Sequence, residues 1–167
     1  MAPAVISVVG KSGSGKTRLI ERLLPALARR GVRTGTIKHD AHRFEMDHPG
    51  KDTYRHFAAG AETVLIASAE KLALQKRLAG PMPLDEMVAR YLGDVDLVLT
   101  EGYKSGDKPK IEVYRPEAGV GLLCGPGDNL VAVVTDAAVT VDCPVFGLDD
   151  VEAVAEFIGR KFLTRSS

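Results

Sequence analysis

A chain of 167 residues can bury a hydrophobic core without disulfide staples, and it is too short for two full-sized domains, so one domain over 1–167 is expected. Basic and acidic residues balance at 22 each, which excludes binding to nucleic acid through an overall positive charge. No run approaches the roughly 18 apolar residues of a membrane span, and Met1 to Val9 lacks the basic start of a secretory signal; a cytoplasmic protein is expected.

Val5 to Val9 is short, apolar and β-branched, the pattern of a strand buried on both faces of a parallel sheet. A glycine-rich loop, Gly10 to Thr17, follows it. The period then changes: Leu19, Ile20, Leu23, Leu24 and Leu27 form one helical stripe ending near Arg30, with Gly31 as a stop. Pro25 falls inside that stripe and is expected to kink or split the helix. Val32 to Ile37 reads as a second strand, and Lys38 to Asp52 as an irregular charged segment. A short helix over Thr53 to Ala59 is expected, capped by Asp52 or Thr53 and stopped by Gly60. Thr63 to Ala67 reads as a strand, whereas Glu70 to Leu78 fits neither period clearly. Pro81 and Pro83 open a helix from Leu84 to Tyr91.

Asp96 to Thr100 is a largely apolar strand with Glu101-Gly102 at its end. Lys110 to Tyr114 and Val120 to Leu123 are short strand candidates, and Leu130 to Thr135 is a clear one, with Asp136 just past it. Val145-Phe146 is a last strand. A helix capped by Asp149 or Asp150 then runs to about Phe162 on the stripe Val151, Val154, Ala155, Ile158 and Phe162. Strands and helices largely alternate, as in a sheet covered by helices. Cys124 and Cys143 sit among apolar residues and read as reduced core thiols.

Gly10-Lys11-Ser12-Gly13-Ser14-Gly15-Lys16-Thr17 matches the G-x-x-x-x-G-K-[ST] phosphate loop, in the strand–loop–helix context that the chemistry needs. Glycines let backbone N–H groups turn toward a phosphate, and the following helix aims its N-terminal N–H groups at the same anion. Lys16 is expected at the β- and γ-phosphates and Thr17 on Mg²⁺. The fold class that follows is α/β, a P-loop NTPase-like three-layer sandwich with a mostly parallel sheet and a small strand extension.

Phosphate chemistry in an open sheet lies beyond the C-terminal strand ends. Glu101 is therefore a candidate metal ligand or water-orienting group, provided its strand is parallel and adjacent to the first. Asp40, after the second strand, is another candidate, while Asp96 fits a role at the opposite end of its strand. Lys11 lies five residues before Lys16. It resembles the loop lysine of dimeric nucleotidases that include chromosome-partition ATPases, where that lysine reaches across to the partner's nucleotide. Ser12 stands here where glycine is usual, and a solvated loop lysine is the alternative.

The segment after the second strand carries Lys38, His39, His42, Arg43, His48 and Lys51, with Asp47 and Asp52. It reads as an anion- or pterin-facing loop or as a solvated one. Zinc held by His39, His42 and His48 is disfavoured by the spacing. Gly102, Tyr103, Lys104, Lys108 and Lys110 form a second set, which reads as closing over an anionic ligand or a partner protein or as solvated loop lysines.

With these residues in view, the chain resembles the MobB family of molybdopterin-guanine dinucleotide biosynthesis adaptor proteins. The resemblance is carried by Gly10 to Thr17, by Thr36-Ile-Lys-His-Asp-Ala-His with Asp47-His-Pro-Gly-Lys-Asp52, and by Ala58-Ala-Gly-Ala61. Asp96-Leu-Val-Leu-Thr-Glu-Gly-Tyr-Lys104, Pro109-Lys-Ile-Glu-Val-Tyr-Arg115 and Pro144 to Asp150 extend it over nearly the whole chain. Gly13 and Thr17-Arg18 depart from the family's usual loop without removing a phosphate ligand. The resemblance implies GTP and Mg²⁺ binding, weak GTP hydrolysis, a homodimer, and partnership with the guanylyltransferase that attaches GMP to molybdopterin. It leaves molybdopterin itself as a further candidate ligand. No Asn-Lys-x-Asp guanine motif is present; by loop position Asp136 is the candidate acceptor for guanine N1 and N2.

An ATP-dependent small-metabolite kinase is the competing class, and Arg77 or Arg90 would have to serve its lid. A nucleotide-gated structural dimer without useful turnover is a third reading. Slow hydrolysis is expected because no motif places a glutamine or arginine to orient water and stabilise γ-phosphate charge. Short strands around Lys110 to Leu123 are expected to extend a sheet across two chains.

Overall fold

The computed structural model describes residues 2–39, 44–119 and 121–163. Their contacts divide into two compact units: one of residues 1–39 and 87–167, the other of residues 40–86. The first crossing falls in the charged segment that follows Lys38 and the second just past Pro81 and Pro83, a break that reads from sequence as an internal loop.

In the larger unit, six strands lie in one sheet: β1 (Ala4–Val9), β2 (Thr34–Lys38), β5 (Leu97–Glu101), β6 (Lys110–Val113), β7 (Leu130–Val134) and β8 (Val145–Phe146). Their spatial order is β2-β5-β1-β6-β7-β8, and each neighbouring pair is parallel. β1 is central. Val5 pairs with Val98 on one side and Val8 with Ile111 on the other. One face of the sheet carries Ile6, Val8, Leu97, Leu99, Ile111 and Val113, all buried in the main core. The helices α1 (Lys16–Ala28) and α4 (Val151–Ile158) bring Leu19, Leu23, Leu27, Val154 and Ile158 to that core.

The other face is more polar. Ser7, Thr100, Lys110 and Glu112 are all buried, and the Thr100 hydroxyl donates to Ser7 Oγ at 2.9 Å. Lys110 Nζ donates to the carbonyls of Gly106 and Asp128, at 2.6 and 2.7 Å. Glu112 accepts the backbone N–H groups of Leu123 and Cys124, at 2.6 and 2.9 Å. These bonds tie the segments 102–109 and 121–129 to the sheet. A helix α3 (Leu84–Tyr91) starts in the smaller unit and ends in the larger, burying Val88.

The smaller unit holds α2 (Asp52–Ala58) and an antiparallel ribbon of β3 (Thr63–Ala67) and β4 (Leu72–Lys76). The ambiguous Glu70–Leu78 stretch thus contains a strand. Arg77 sits over the Phe57 ring at 4.2 Å and donates to the Phe57 and Ala61 carbonyls.

Several local expectations need correction. Pro25 does not split α1, because it lies on the exposed side, where the carbonyl that loses its N–H partner can turn to water. Residues 121–123 form no strand, and β6 is enclosed between β1 and β7, so this region cannot carry a sheet into a second chain. Asp150 stands at the N-cap of α4 but gives its carboxylate to Gly147 N–H, while Asp149 pairs with Arg22 at 2.6 Å. The last helix changes to a π turn at Gly159–Leu163. Lys51 rather than Asp52 or Thr53 stands at the N-cap of α2. Both cysteines are free but only half-buried.

Candidate functional site

The loop between β1 and α1 takes its shape from glycines at positive φ. Gly10, Gly13 and Gly15 have φ of 149°, 77° and 101°. A Cβ on Gly10 would collide with the Val113 carbonyl oxygen and with Ser14 Oγ, so β6 packs directly against the loop. α1 begins at Gly15 with no side-chain cap and no acid in its first turn. Its N-terminal N–H groups and positive dipole end are therefore left to an external anion. Lys16 Nζ reaches back to the carbonyls of Gly10 and Lys11, each at 3.0 Å, which fixes the ammonium at the mouth of the loop. Ser14 N–H donates to Lys11 O at 3.2 Å, while Ser14 Oγ is buried without a partner.

Thr17 and Glu101 meet on the β5 side. The Thr17 hydroxyl lies 3.0 Å from both Glu101 oxygens. The sequence condition on Glu101 is met: β5 is parallel and adjacent to β1, with Glu101 opposite Val8 at the C-terminal edge. Asp96 is at the other edge, where Arg33 grips its carboxylate through Nε at 3.1 Å and Nη2 at 2.8 Å. A hydroxyl and a carboxylate converging in this way are hard oxygen donors, the kind that suit Mg²⁺.

Beyond Glu101, Gly102 (φ 102°) and Tyr103 (φ 56°) turn the chain sharply. His39 donates its backbone N–H to Glu101 O at 3.0 Å, and its ring meets the Tyr103 ring at 4.8 Å. Lys38 lies opposite Glu101 in the β2–β5 register and is exposed. Asp40, His42 and Arg43 lie outside the described residues. Among the described residues no three His, Cys, Asp or Glu side chains form a metal cluster. Ser12 is exposed at the loop tip, and Lys11 folds over Gly119, with Nζ 3.1 Å from where a Cβ would stand.

Lys110 leaves the set proposed to close over an anion, because its ammonium is buried against two carbonyls. Arg77 is likewise committed within its own unit and is no lid group. Asp136 is exposed just past β7, with Oδ1 accepting Leu148 N–H at 2.8 Å. It lines a cavity of about 180 Å³ with Gly15, Arg18, Leu19, Arg115 and Leu148. Arg115 was missed in the sequence reading as a site residue. Its only signal was position, two residues past β6 at the same edge as the loop. Cys124 is no reactive thiol: burial, and then the charge and hydrogen bond of Glu112, push its pKa up to about 12.

A buried parallel strand, a glycine-shaped loop and an uncapped helix in this order define a P-loop NTPase-like, nucleotide-binding protein. A family model described as molybdopterin guanine dinucleotide synthesis protein B matches residues 5–136. A molybdopterin-guanine dinucleotide biosynthesis adapter protein of Escherichia coli is 36% identical over 153 residues, covering 88% of this chain and 86% of the relative. That of Haemophilus influenzae is 34% identical, covering 92% and 86%. A crystal structure of molybdopterin-guanine biosynthesis protein B superposes with a TM-score of 0.74 at 35% identity, covering 96% of this chain and 99% of the other. The chain belongs to the MobB family. No helix among the described residues is long and apolar enough to cross a membrane.

Proposed function

We propose that this chain is a GTP-binding adapter that assists the guanylyltransferase attaching GMP to molybdopterin, and that it hydrolyses GTP slowly. The observation that carries the nucleotide reading is the loop itself. Lys16 is held at its mouth, α1 is uncapped, and Thr17 meets Glu101 beside it. The adapter reading rests on the family and on the printed names of the relatives.

The residues assigned to the nucleotide are Gly10 to Thr17, with Lys38 and His39 at the β2 edge and Asp136 on the base side. Thr17 and Glu101 would hold Mg²⁺, with Asp40 as a further ligand. The ion would neutralise charge building between the β- and γ-phosphates. Slow turnover fits the composition, since the single glutamine, Gln75, lies in the ribbon of the smaller unit. Nothing favours the kinase class. The two units act as one functional domain in a cytoplasmic homodimer, and molybdopterin is a further ligand of the complex with the guanylyltransferase.

Calorimetric titration with GTP and ATP in Mg²⁺ tests the core of this reading. Wild type is expected to prefer GTP, and Lys16→Ala to lose roughly 10- to 100-fold in affinity, the worth of one charge-assisted contact. Undiminished GTP binding by Lys16→Ala would remove the loop from the function. Absence of any stimulation of GMP attachment by the guanylyltransferase would remove the adapter role.

A further inference from the structure

We propose that the cavity beside Gly15 holds the guanine base, with Arg115 donating to its O6/N7 edge and Asp136 accepting from N1 and N2. This rests on the GTP reading above and adds to it a specificity-determining arginine. The cavity is lined by Gly15, Arg18 and Leu19, by Val113 and Arg115 at the end of β6, by Val134 and Asp136 at the end of β7, and by Leu148. At about 180 Å³ it is smaller than the roughly 300–1,000 Å³ that encloses a whole drug-sized ligand. It therefore suits one part of a nucleotide, and the phosphates already have their place in the neighbouring loop. Leu19, Val113, Val134 and Leu148 offer apolar walls to a flat ring.

The polar groups decide which ring. Arg22 is committed to Asp149 and to Leu148 O. Asp136 spends Oδ1 on Leu148 N–H, so Oδ2 is the oxygen available to a ligand. Arg115 packs beside Gly15, with Nε 3.6 Å and Nη2 3.9 Å from where a Cβ would stand. Among the described residues its Nε is buried and makes no hydrogen bond. A buried guanidinium N–H without an acceptor is costly, so the site is built for an acceptor that arrives with the ligand. Guanine offers acceptors at O6 and N7 and donors at N1 and N2, the complement of an arginine facing an aspartate. Adenine keeps the N7 acceptor but places a donor at N6 against the arginine and an acceptor at N1 against the carboxylate, so discrimination rests on the O6 half of the arginine contact and on the carboxylate contact.

The test is a set of affinities for full-length protein with GTP, ATP and 7-deaza-GTP in Mg²⁺. Wild type is expected to bind 7-deaza-GTP at least fivefold more weakly than GTP. Arg115→Ala should abolish that difference and shrink the GTP-to-ATP ratio tenfold or more. Asp136→Asn should shift preference toward xanthosine triphosphate, whose 2-carbonyl accepts from an amide. Equal loss of all three nucleotides in Arg115→Ala would make the residue a phosphate or loop contact and overturn the proposal, as would an unchanged ratio. The 7-deaza comparison on wild type stands even where a variant does not fold: equal affinity for both nucleotides overturns the arginine contact. A wild type that prefers ATP, by contrast, would sink the GTP reading itself.

Discussion

Thr17 and Glu101 are 84 residues apart in sequence and meet because β1 and β5 are parallel neighbours in register. In the Mg²⁺-ligand role proposed for them, their effect should appear in the response to the ion more than in bare affinity. Mg²⁺ is expected to strengthen GTP binding to wild type. In Thr17→Ala and in Glu101→Gln the gain should shrink about tenfold, roughly 1.4 kcal/mol. Titration in Mg²⁺ and in EDTA reads this directly; equal gains in all three proteins would place the ion elsewhere. At this scale the positions of Lys16 and Thr17 were legible in the sequence, because spacing within one loop fixes where they stand. Glu101 needed an assumption about strand pairing. Arg115 was invisible, since its meaning comes from packing against Gly15, a contact between residues 100 positions apart in the chain.

β6 shows what a pattern reading misses at the level of an element. Lys-Ile-Glu-Val alternates polar and apolar residues, the usual mark of a strand with one wet face. All four residues are nevertheless buried, because backbone groups of two loops replace water on the polar side. Glu112→Gln keeps the shape but loses charge and half of the acceptor pair. We expect a stability loss of about 1–3 kcal/mol by denaturant unfolding, with faster amide exchange at Leu123 and Cys124. The same change should lower the Cys124 pKa from about 12, so alkylation at pH 8 should accelerate. Unchanged exchange at the two amides would show that Glu112 does not hold the loop. Elsewhere the elements were legible: β1, β3, β7, α1 and α3 lie within a residue or two of their patterns, because each has one clear period.

For the molecule as a whole, the smaller unit carries the clearest unmet demand. On one face of its ribbon Leu65 pairs with Leu74 and Ala67 with Leu72, and the three leucines are 53%, 41% and 62% exposed. An apolar ribbon face of this kind fits the proposed homodimer and would seat it on a surface different from the one expected near β6. Light scattering should give twice the 17.9 kDa chain mass for wild type and the single mass for Leu65→Lys with Leu74→Lys. A dimer that survives both changes would place the interface elsewhere. The exposed face was hidden in the sequence because Glu70 to Leu78 mixes charges and leucines without a clean period.

The sheet order also has a consequence for how the chain is made. β1 leaves the ribosome long before either of its neighbours, β5 at Leu97 and β6 at Lys110. At about 5–20 residues per second the wait is roughly 5–20 s. Throughout it a sticky run, Val5 to Val9, has no strand to lie against, and the smaller unit emerges in between. Nascent chains stalled before residue 97 should therefore be clients of holdase chaperones. GTP should offer them no protection, because the phosphate loop, complete as a string of letters at Thr17, is still without its walls.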